Sequence, residues 1–282
     1  MLRIILPFII VVCGLWAWSL AAGPWSVYEQ SLLLSGWLSI ALMSLVMILA
    51  QRPAWLERPL GGMDQMYRSH KWAGILAVVF AAAHWLIEMG DDLIESMFGA
   101  ADKRHDPDYS GFIDAMRDVA EDIGEFSVYL LFAMLLITLW RQFPYKYWRY
   151  IHRGMPALYL LLAFHAAWLA PLQWWQQPIG LLLAILLLGG RVGRRHQVQG
   201  SISAINTLGK GVTEVVCTLG MAWPGHRAGQ FAFVTFNTLE GAHPFTIASA
   251  DRGNGEVTFL IKSLGDFTHH LSNKISVGQT VT

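Results

Sequence analysis

Four histidines with matched spacing lie in or beside two apolar stretches of this 282-residue chain. His70 and His84 are 14 residues apart, and His152 and His165 are 13 residues apart. On an ideal α-helix these separations correspond to rises of about 21 Å and about 19.5 Å. Each helix would then carry one imidazole near each face of a bilayer, at depths that match between the two helices. The spacing predicts two bis-histidine sites stacked across a membrane.

Paired imidazoles suit haem iron, because imidazole is its usual axial ligand and helix bundles build such sites from facing side chains. We therefore predict that His70, His84, His152 and His165 ligate two haems. Zinc is the metal alternative, but four ligands in two pairs about 20 Å apart cannot close one tetrahedral site. The non-metal alternative is that these histidines are interfacial or hydrogen-bonded within the bundle.

The second pair faces one side only if its helix is distorted. A step of 14 residues returns to within about 40° of the starting direction, whereas a step of 13 residues ends about 140° away. Gly154 and Pro156 follow His152, and proline is favoured in the first turn of a helix and disruptive in its interior. Our hypothesis is that His152 lies just before or within a distorted first turn and points to the face that His165 shares.

A second set of candidate residues occurs in the more polar C-terminal part of the chain. The stretch HPFTIAS begins at His243, and the stretch KSLGDFT begins at Lys262. Taken alone, these stretches also fit a strand and turn of an ordinary β-barrel with Phe245 in its core. The residues of these stretches that bear on the argument below are His243, Pro244, Phe245, Thr246, Lys262, Gly265 and Thr268.

The elements that must position the histidines are membrane helices. Apolar residues make up 54% of the chain and charged residues only 14%, whereas soluble domains carry about 25% charged residues. The 13 tryptophans suit an aromatic belt at a lipid interface. The composition excludes intrinsic disorder, zero formal net charge argues against a nucleic-acid partner, and the two cysteines suggest no disulfide.

Apolar runs predict six spans at residues 4–22, 29–50, 72–89, 124–140, 155–172 and 178–190.

Two of these runs have alternative interpretations. Residues 4–22 also fit a signal peptide, but the length of the run and the apolar stretches that follow it favour a retained helix. Residues 178–190 are short for a span, which needs about 17–25 residues, and they cross a membrane only if residues 172–177 are included.

The charge asymmetry of the loops predicts their orientation. Loops 51–71 and 141–153 and the residues after 190 are rich in lysine and arginine, whereas segment 88–125 is acid-rich. The positive-inside rule places the basic loops in the cytoplasm. We predict a multi-pass protein of the plasma (inner) membrane, with both termini cytoplasmic and segment 88–125 outside.

Beyond about residue 196 the pattern changes to short β-rich runs with glycine-containing turns between them. The runs lie at residues 198–208, 211–220, 229–236 and 256–264. The predicted fold is an α-helical membrane bundle of six transmembrane helices at 1–195, followed by a partial antiparallel β-barrel at 196–282.

Together these features resemble the NADPH oxidase and ferric reductase family. The histidine pairs in the third and fifth spans match the spacing in that family, and HPFT followed by small and hydroxyl residues matches its flavin signature. The resemblance covers residues 29–282. It implies a transmembrane domain that holds two b haems and a ferredoxin-reductase-type barrel that holds FAD.

The resemblance also implies roles for the HPFT residues. Phe245 would lie against the isoalloxazine ring, as an aromatic surface suited to a flat cofactor. Thr246 would place its hydroxyl near the reactive nitrogen of the flavin, and His243 would approach the ribityl or phosphate part.

The second stretch would hold the diphosphate of FAD. Lys262 would neutralise its charge, Gly265 would permit close approach of the backbone, and Thr268 would donate to a phosphate oxygen. The chain ends at Thr282 in a β-like segment and has no GxGxxG fingerprint. We therefore expect NAD(P)H to bind to a further domain or a partner.

The implied activity is electron transfer from cytosolic NAD(P)H through FAD and two haems to an acceptor outside. The acceptor is either oxygen, which gives superoxide, or a ferric chelate. The acidic outer loop would steer a cationic acceptor, and Trp85, Glu88 and Trp168 are candidates to shape its access. Two alternatives stay open: a haem-binding redox subunit that exchanges electrons with a partner protein, and a transporter with a regulatory β domain.

The outer segment also contains part of a calcium motif. Residues 106–114 resemble the first nine positions of an EF-hand loop, with carboxylates at positions one, three and nine and glycine at position six. The twelfth position is Arg117 where the motif has a bidentate glutamate. We therefore favour a solvated acidic loop over a calcium site.

Overall fold

Helices fill the N-terminal part of the chain and strands fill the C-terminal part. The computed structural model describes residues 2–20, 26–99, 111–140, 142–171, 197–209, 211–220, 222–227, 229–238, 241–264 and 267–282. These residues form two compact units, Met1–Gln51 with Tyr67–Val192 and Arg52–Met66 with Gly193–Thr282. The predicted domain boundary after residue 195 lies in a stretch outside the described residues and stays a prediction.

The helical part contains eight described helices. Three of them (α2, α4 and α6) are long and apolar enough to cross a membrane, and the apolar part of α1 is slightly shorter. The bounds are α1 Leu2–Leu20, α2 Val27–Ala50, α3 Ala54–Leu60, α4 Met63–Met89, α5 Asp91–Phe98, α6 Phe112–Leu139, α7 Tyr145–His152 and α8 Met155–Leu169.

The first five predicted spans coincide with α1, α2, α4, α6 and α8, and the sixth lies outside the described residues. Helices α4 and α6 begin well before their predicted spans, because the helical backbone continues through the polar residues that precede the apolar run. Helix α7 lies where a basic loop was expected. Pro144 stands at its N-cap, and basic residues occupy its last turn, where they favour a helix C-terminus.

Helix α2 forms hydrogen bonds to three other described helices. Its N-terminus is fixed by a capping box, in which Ser26 and Glu29 each accept a backbone N–H of the other. Trp37 Nε1 donates to a backbone carbonyl of α1, Ser39 Oγ donates to one of α4, and Ser44 Oγ shares a hydrogen bond with the Tyr159 hydroxyl of α8. Such bonds hold apolar helices together where no water competes.

The second unit is a curled antiparallel half-barrel. A four-stranded sheet has the order β5-β2-β1-β6, and β3 and β4 form a separate hairpin-like pair. The inward-facing residues of the strands, including Val215, Cys217 and Val257, form one apolar core. The strand bounds are β1 Gly200–Thr207, β2 Val212–Leu219, β3 Phe231–Val234, β4 His243–Thr246, β5 Glu256–Lys262 and β6 Thr280–Val281; a short helix α9 spans Leu271–Lys274.

The segment that contains helix α3 belongs to the same compact unit as the β strands. Arg52 has a left-handed backbone (φ 53°), and its guanidinium lies 3.6 Å from the ring centroid of Phe233 on β3. A cation at that distance from an aromatic face is attracted to it. This contact accounts for part of the attachment of segment Arg52–Met66 to the half-barrel.

Candidate redox site

His70 and His152 form the first of two histidine pairs. Their ring centroids are 6.3 Å apart, with the ring planes at 79°. His70 Nδ1 donates to the Val46 carbonyl of α2 at 3.1 Å. His152 is stacked instead on Trp148 at 4.7 Å and 17°, and the Trp148 indole donates to Thr138 Oγ1 of α6 at 3.0 Å.

His84 and His165 form the second pair, with nearly the same geometry. Their ring centroids are 6.2 Å apart, with the ring planes at 79°. His84 Nδ1 donates to the Leu32 carbonyl of α2 at 3.0 Å, and His165 Nδ1 donates to the Ala120 carbonyl of α6 at 2.8 Å. The pairs lie at two levels of the bundle, because His70 and His84 are separated by about 21 Å of helix rise.

A break between α7 and α8 allows His152 and His165 to face the same neighbour. Helix α7 ends at His152, and α8 begins at Met155 with a proline in its first turn. Arg153 and Gly154 form a turn between the helices, in which the Gly154 N–H donates to the Ile151 carbonyl. The 13-residue step therefore does not follow a single ideal helix.

The hydrogen bonds define the tautomer of three imidazoles. A carbonyl can only accept, so Nδ1 of His70, His84 and His165 carries the proton. In a neutral imidazole the lone pair is then on Nε2, the atom that would bind a metal. Donation to a backbone carbonyl is a common way for proteins to orient a metal-binding histidine.

The spacing of the rings fits an iron atom between each pair. Two imidazole–metal bonds of about 2 Å each, with roughly 1.1 Å from each nitrogen to its ring centre, add up to about the 6.2–6.3 Å seen here. Within the described part of the chain, no three His, Cys, Asp or Glu side chains cluster to hold a metal. Two protein ligands suffice for haem, since the porphyrin supplies the equatorial nitrogens.

Two further observations concern the helices beside the second pair. A Cβ added to Gly36 or Gly124 would press on an imidazole of the second pair. Ser127 Oγ, fully buried on α6 one turn after Gly124, has no hydrogen-bond partner among the described residues. A buried hydroxyl of this kind is available to a polar group of a ligand.

The HPFT residues form strand β4, and they alternate between its two faces. His243 and Phe245 point toward the core side, and Pro244 and Thr246 are exposed. His243 is stacked on Phe267 at 4.3 Å and 5°. Phe245 packs at the edge of the barrel core, with ring centroids 5.9 Å from Phe236 and 6.4 Å from Phe259.

The remaining predicted flavin residues lie at one end of β5. Lys262 is the last residue of β5 and is exposed, and Gly265 lies outside the described residues. Thr268 begins a short 3-10 helix, where its Oγ1 accepts the backbone N–H of Leu264 at 2.9 Å. The next hydroxyl along this loop, Ser263 Oγ, is 2.7 Å from His269 Nδ1. Thr246 and Lys262 are thus exposed, whereas Thr268, His243 and Phe245 are half-buried.

Several contacts at the histidine pairs had no signal in the sequence. Trp148 stood in an expected loop, and the carbonyls of Val46, Leu32 and Ala120 belong to helices remote in the sequence. Gly36 and Gly124 are isolated glycines in helical stretches, which is a usable signal for close approach of another group. The sequence does not say which group approaches.

The residues named for acceptor access have other contacts. Glu88 accepts a hydrogen bond from the buried Tyr28 hydroxyl at 3.1 Å. Trp85 packs edge-on against Phe132 at 5.5 Å. Trp168 also packs against aromatic side chains, and its carbonyl accepts from Arg117 Nη1 at 2.8 Å. Residues 106–110 of the calcium-like motif lie outside the described residues, and Arg117, at its twelfth position, binds the C-terminal end of α8.

Two family profiles match the chain. Residues 35–163 match the ferric reductase like transmembrane component, and residues 198–281 match an FAD-binding domain. The first match contains His70, His84 and His152 and ends two residues before His165. No curated protein matches the whole chain or part of it.

Two solved structures show weak overall likeness. The ferredoxin reductase in carbazole 1,9a-dioxygenase is 22% identical over 30% of this chain and 26% of its own, with a TM-score of 0.27. The flavohemoglobin from Malassezia yamatoensis with bound FAD and heme is 14% identical over 86% of this chain and 59% of its own, with a TM-score of 0.33. The chain spans less than two thirds of the length of either.

A helical membrane domain followed by a flavin-binding half-barrel defines a class of membrane redox proteins. The two profile matches together give this chain the architecture of NADPH oxidases and ferric reductases. The resemblance drawn from the histidine spacing and the HPFT stretch is therefore confirmed at the level of the family architecture. The FAD-binding domain and the membrane character of the helical part are confirmed with it.

Proposed function

We propose that this protein transfers electrons across a membrane. The route runs from cytosolic NAD(P)H through FAD and two b haems to an acceptor on the opposite side. The two histidine pairs carry the proposal, because the rings are separated by 6.3 Å and 6.2 Å at two depths on α4. Bound FAD would supply the change from two-electron to one-electron chemistry, and bound haem would supply one-electron carriers.

The chain itself would hold and orient these groups. His70 and His152 would hold the iron of the inner haem, and His84 and His165 would hold that of the outer haem. Three of these imidazoles carry their proton on Nδ1, so Nε2 would bind iron without first losing a proton. The helices satisfy their own backbone hydrogen bonds, which allows the sites to lie in a layer that excludes water.

The half-barrel would bind FAD through its exposed polar groups. Thr246 and Lys262 present a hydroxyl and an ammonium on the surface. Thr268 Oγ1 accepts a hydrogen bond from the backbone N–H of Leu264, and its hydroxyl would approach a phosphate oxygen. Phe245 is partly buried against the core, so we propose that it meets the isoalloxazine ring with its remaining exposed edge.

The orientation and the acceptor belong to the same proposal. The basic loops are on the cytoplasmic side of the plasma (inner) membrane, and the acidic segment 88–125 is outside. Oxygen, giving superoxide, and a ferric chelate are the proposed acceptors. NAD(P)H would reach FAD through a further domain or a partner.

The first test is a visible spectrum of the purified protein, with haem and FAD quantified per chain. We expect a Soret band, two haems and one flavin. His84→Ala or His165→Ala should lose the outer haem and keep the inner one, while His226→Ala in the half-barrel should keep both. A colourless protein, or loss of both haems or of neither in the outer-pair variants, would contradict the proposal.

The acceptor is tested in the same preparation. Superoxide formation by the reduced protein is measured with and without a ferric chelate. Chelate reduction at the expense of superoxide identifies ferric iron as the preferred acceptor, and superoxide formation that is insensitive to the chelate identifies oxygen.

A further inference from the structure

The two imidazoles of the outer pair are seated on their neighbouring helices in the same way. His84 Nδ1 donates to the carbonyl of Leu32, and Gly36 is four residues further along α2. His165 Nδ1 donates to the carbonyl of Ala120, and Gly124 is four residues further along α6. In an α-helix the carbonyl of a residue points toward the residue four positions on. In both cases that residue has no side chain.

The absence of a side chain at these positions is required for the hydrogen bonds. A Cβ on Gly36 would lie 3.0 Å from both Nδ1 and Cε1 of His84. A Cβ on Gly124 would overlap more severely with the same two atoms of His165 and also with its Cγ. Ordinary carbon contacts are at about 3.5–4.0 Å. An alanine would therefore displace the ring from the carbonyl that orients it.

The inner pair has no helix carbonyl that is followed four residues later by a glycine. His70 donates to the Val46 carbonyl, and the residue four positions on is Ala50, at the end of α2. His152 is held by the Trp148 indole. The arrangement of carbonyl and glycine is therefore particular to His84 and His165 among the four paired histidines.

We propose that Gly36 and Gly124 are positioning residues of the outer site. Each glycine lets an imidazole approach the helix backbone closely enough to donate Nδ1–H to it, which fixes the tautomer and the plane of the ring. This inference rests on the proposed function, since the group that the two rings position is the outer haem. It adds two residues that do not touch the iron and that act through His84 and His165.

The experiment compares three glycine-to-alanine variants of the full chain in detergent. Gly36→Ala and Gly124→Ala test the proposal. Gly14→Ala is the control, because Gly14 lies on α1, away from the histidine pairs, and an added Cβ there would meet no atom within 4 Å. Haem per chain, the two-component redox titration and the low-spin EPR signals are measured for each.

We expect Gly124→Ala to lose one of two haems, with the outer component missing from the titration and the inner one unchanged. Gly36→Ala, with the milder overlap, should keep both haems but shift the potential and EPR signal of the outer one. Gly14→Ala should match the unmodified protein. The retained inner haem reports that the variants have folded.

Unchanged outer-haem signals in both variants would overturn the inference. If Gly124→Ala loses both haems together with its size-exclusion peak, that variant has not folded and the test rests on Gly36→Ala. An outer-haem signal in Gly36→Ala that equals that of the wild type overturns the inference. A wild-type protein without haem refutes the proposed function instead. The two failures are thus distinguishable.

Discussion

Three of the four paired imidazoles donate Nδ1–H to a helix carbonyl, and the fourth is stacked on an indole. The sequence spacing predicts that the rings meet in pairs, because 14 residues of helix return nearly to the same face. The spacing does not reveal the hydrogen-bond acceptors, since Val46, Leu32 and Ala120 are ordinary apolar residues that accept through their backbone carbonyls. The roles of the four histidines as ligands stay a prediction.

The stacking of Trp148 on His152 takes the place of a carbonyl acceptor at the inner site. Aromatic stacking of this kind contributes about 0.5–1.5 kcal/mol. Trp148→Leu should therefore release the inner haem up to about tenfold faster, measured as haem transfer to apomyoglobin, while the outer haem is unaffected. Trp148→Phe, which keeps an aromatic face, is the matched control. Equal release rates in all three proteins would show that the indole does not hold His152.

Cys217 is predicted to be unreactive in the folded half-barrel. It is fully buried in the core, and burial raises the pKa of its thiol to about 11 from the usual 9.0. At neutral pH this shift leaves about a hundredfold less thiolate, so maleimide should label it slowly and faster as the pH approaches 11. Thr218→Cys, on the exposed face of the same strand, should label quickly. Labelling of Cys217 as fast as of that control would show an open core.

Thiol ionisation also affects stability in a definite direction. The pKa of Cys217 is higher in the folded state than in the unfolded state. The stability that the buried, neutral Cys217 thiol contributes to the folded state is therefore fully present below pH 9. It is lost as the pH rises from 9 toward 11, because the thiol of the unfolded chain ionises first.

At the level of elements, hydropathy located α1, α2, α4, α6 and α8, because a membrane span must be apolar along its whole length. It missed α7, whose basic and aromatic residues read as a loop. The β runs were located by their alternation and their glycine turns, but not the separate pairing of β3 with β4, which depends on distant contacts. The apolar pattern also gave no sign that segment Arg52–Met66 groups with the half-barrel.

The break between α7 and α8 sets the direction of His152 relative to His165. Inserting one alanine between Arg153 and Gly154 would rotate the two helices by about 100° relative to each other. Helix α8 is held by Tyr159 and His165, so we expect His152 to move and the inner haem to be lost while the outer haem stays. Haem content and the redox titration check this, with the length-conserving Gly154→Ala as control. Loss of the outer haem alone would contradict it.

For the whole molecule, the charge balance of the loops bears on which of the two histidine pairs lies nearer the cytoplasm. Lysine and arginine in short loops resist translocation, so Gln142, in a basic loop, and Asp92, after α4, should lie on opposite sides. Both residues are exposed in the structure. In a background with Cys13→Ser and Cys217→Ala, Gln142→Cys should react with an impermeant maleimide only in inside-out vesicles, and Asp92→Cys only in intact cells. Thr218→Cys should be labelled in the same vesicles as Gln142→Cys, because the proposed route brings cytosolic NAD(P)H to the half-barrel. The reverse labelling would place the flavin outside, and a cytosolic electron donor could not reach it.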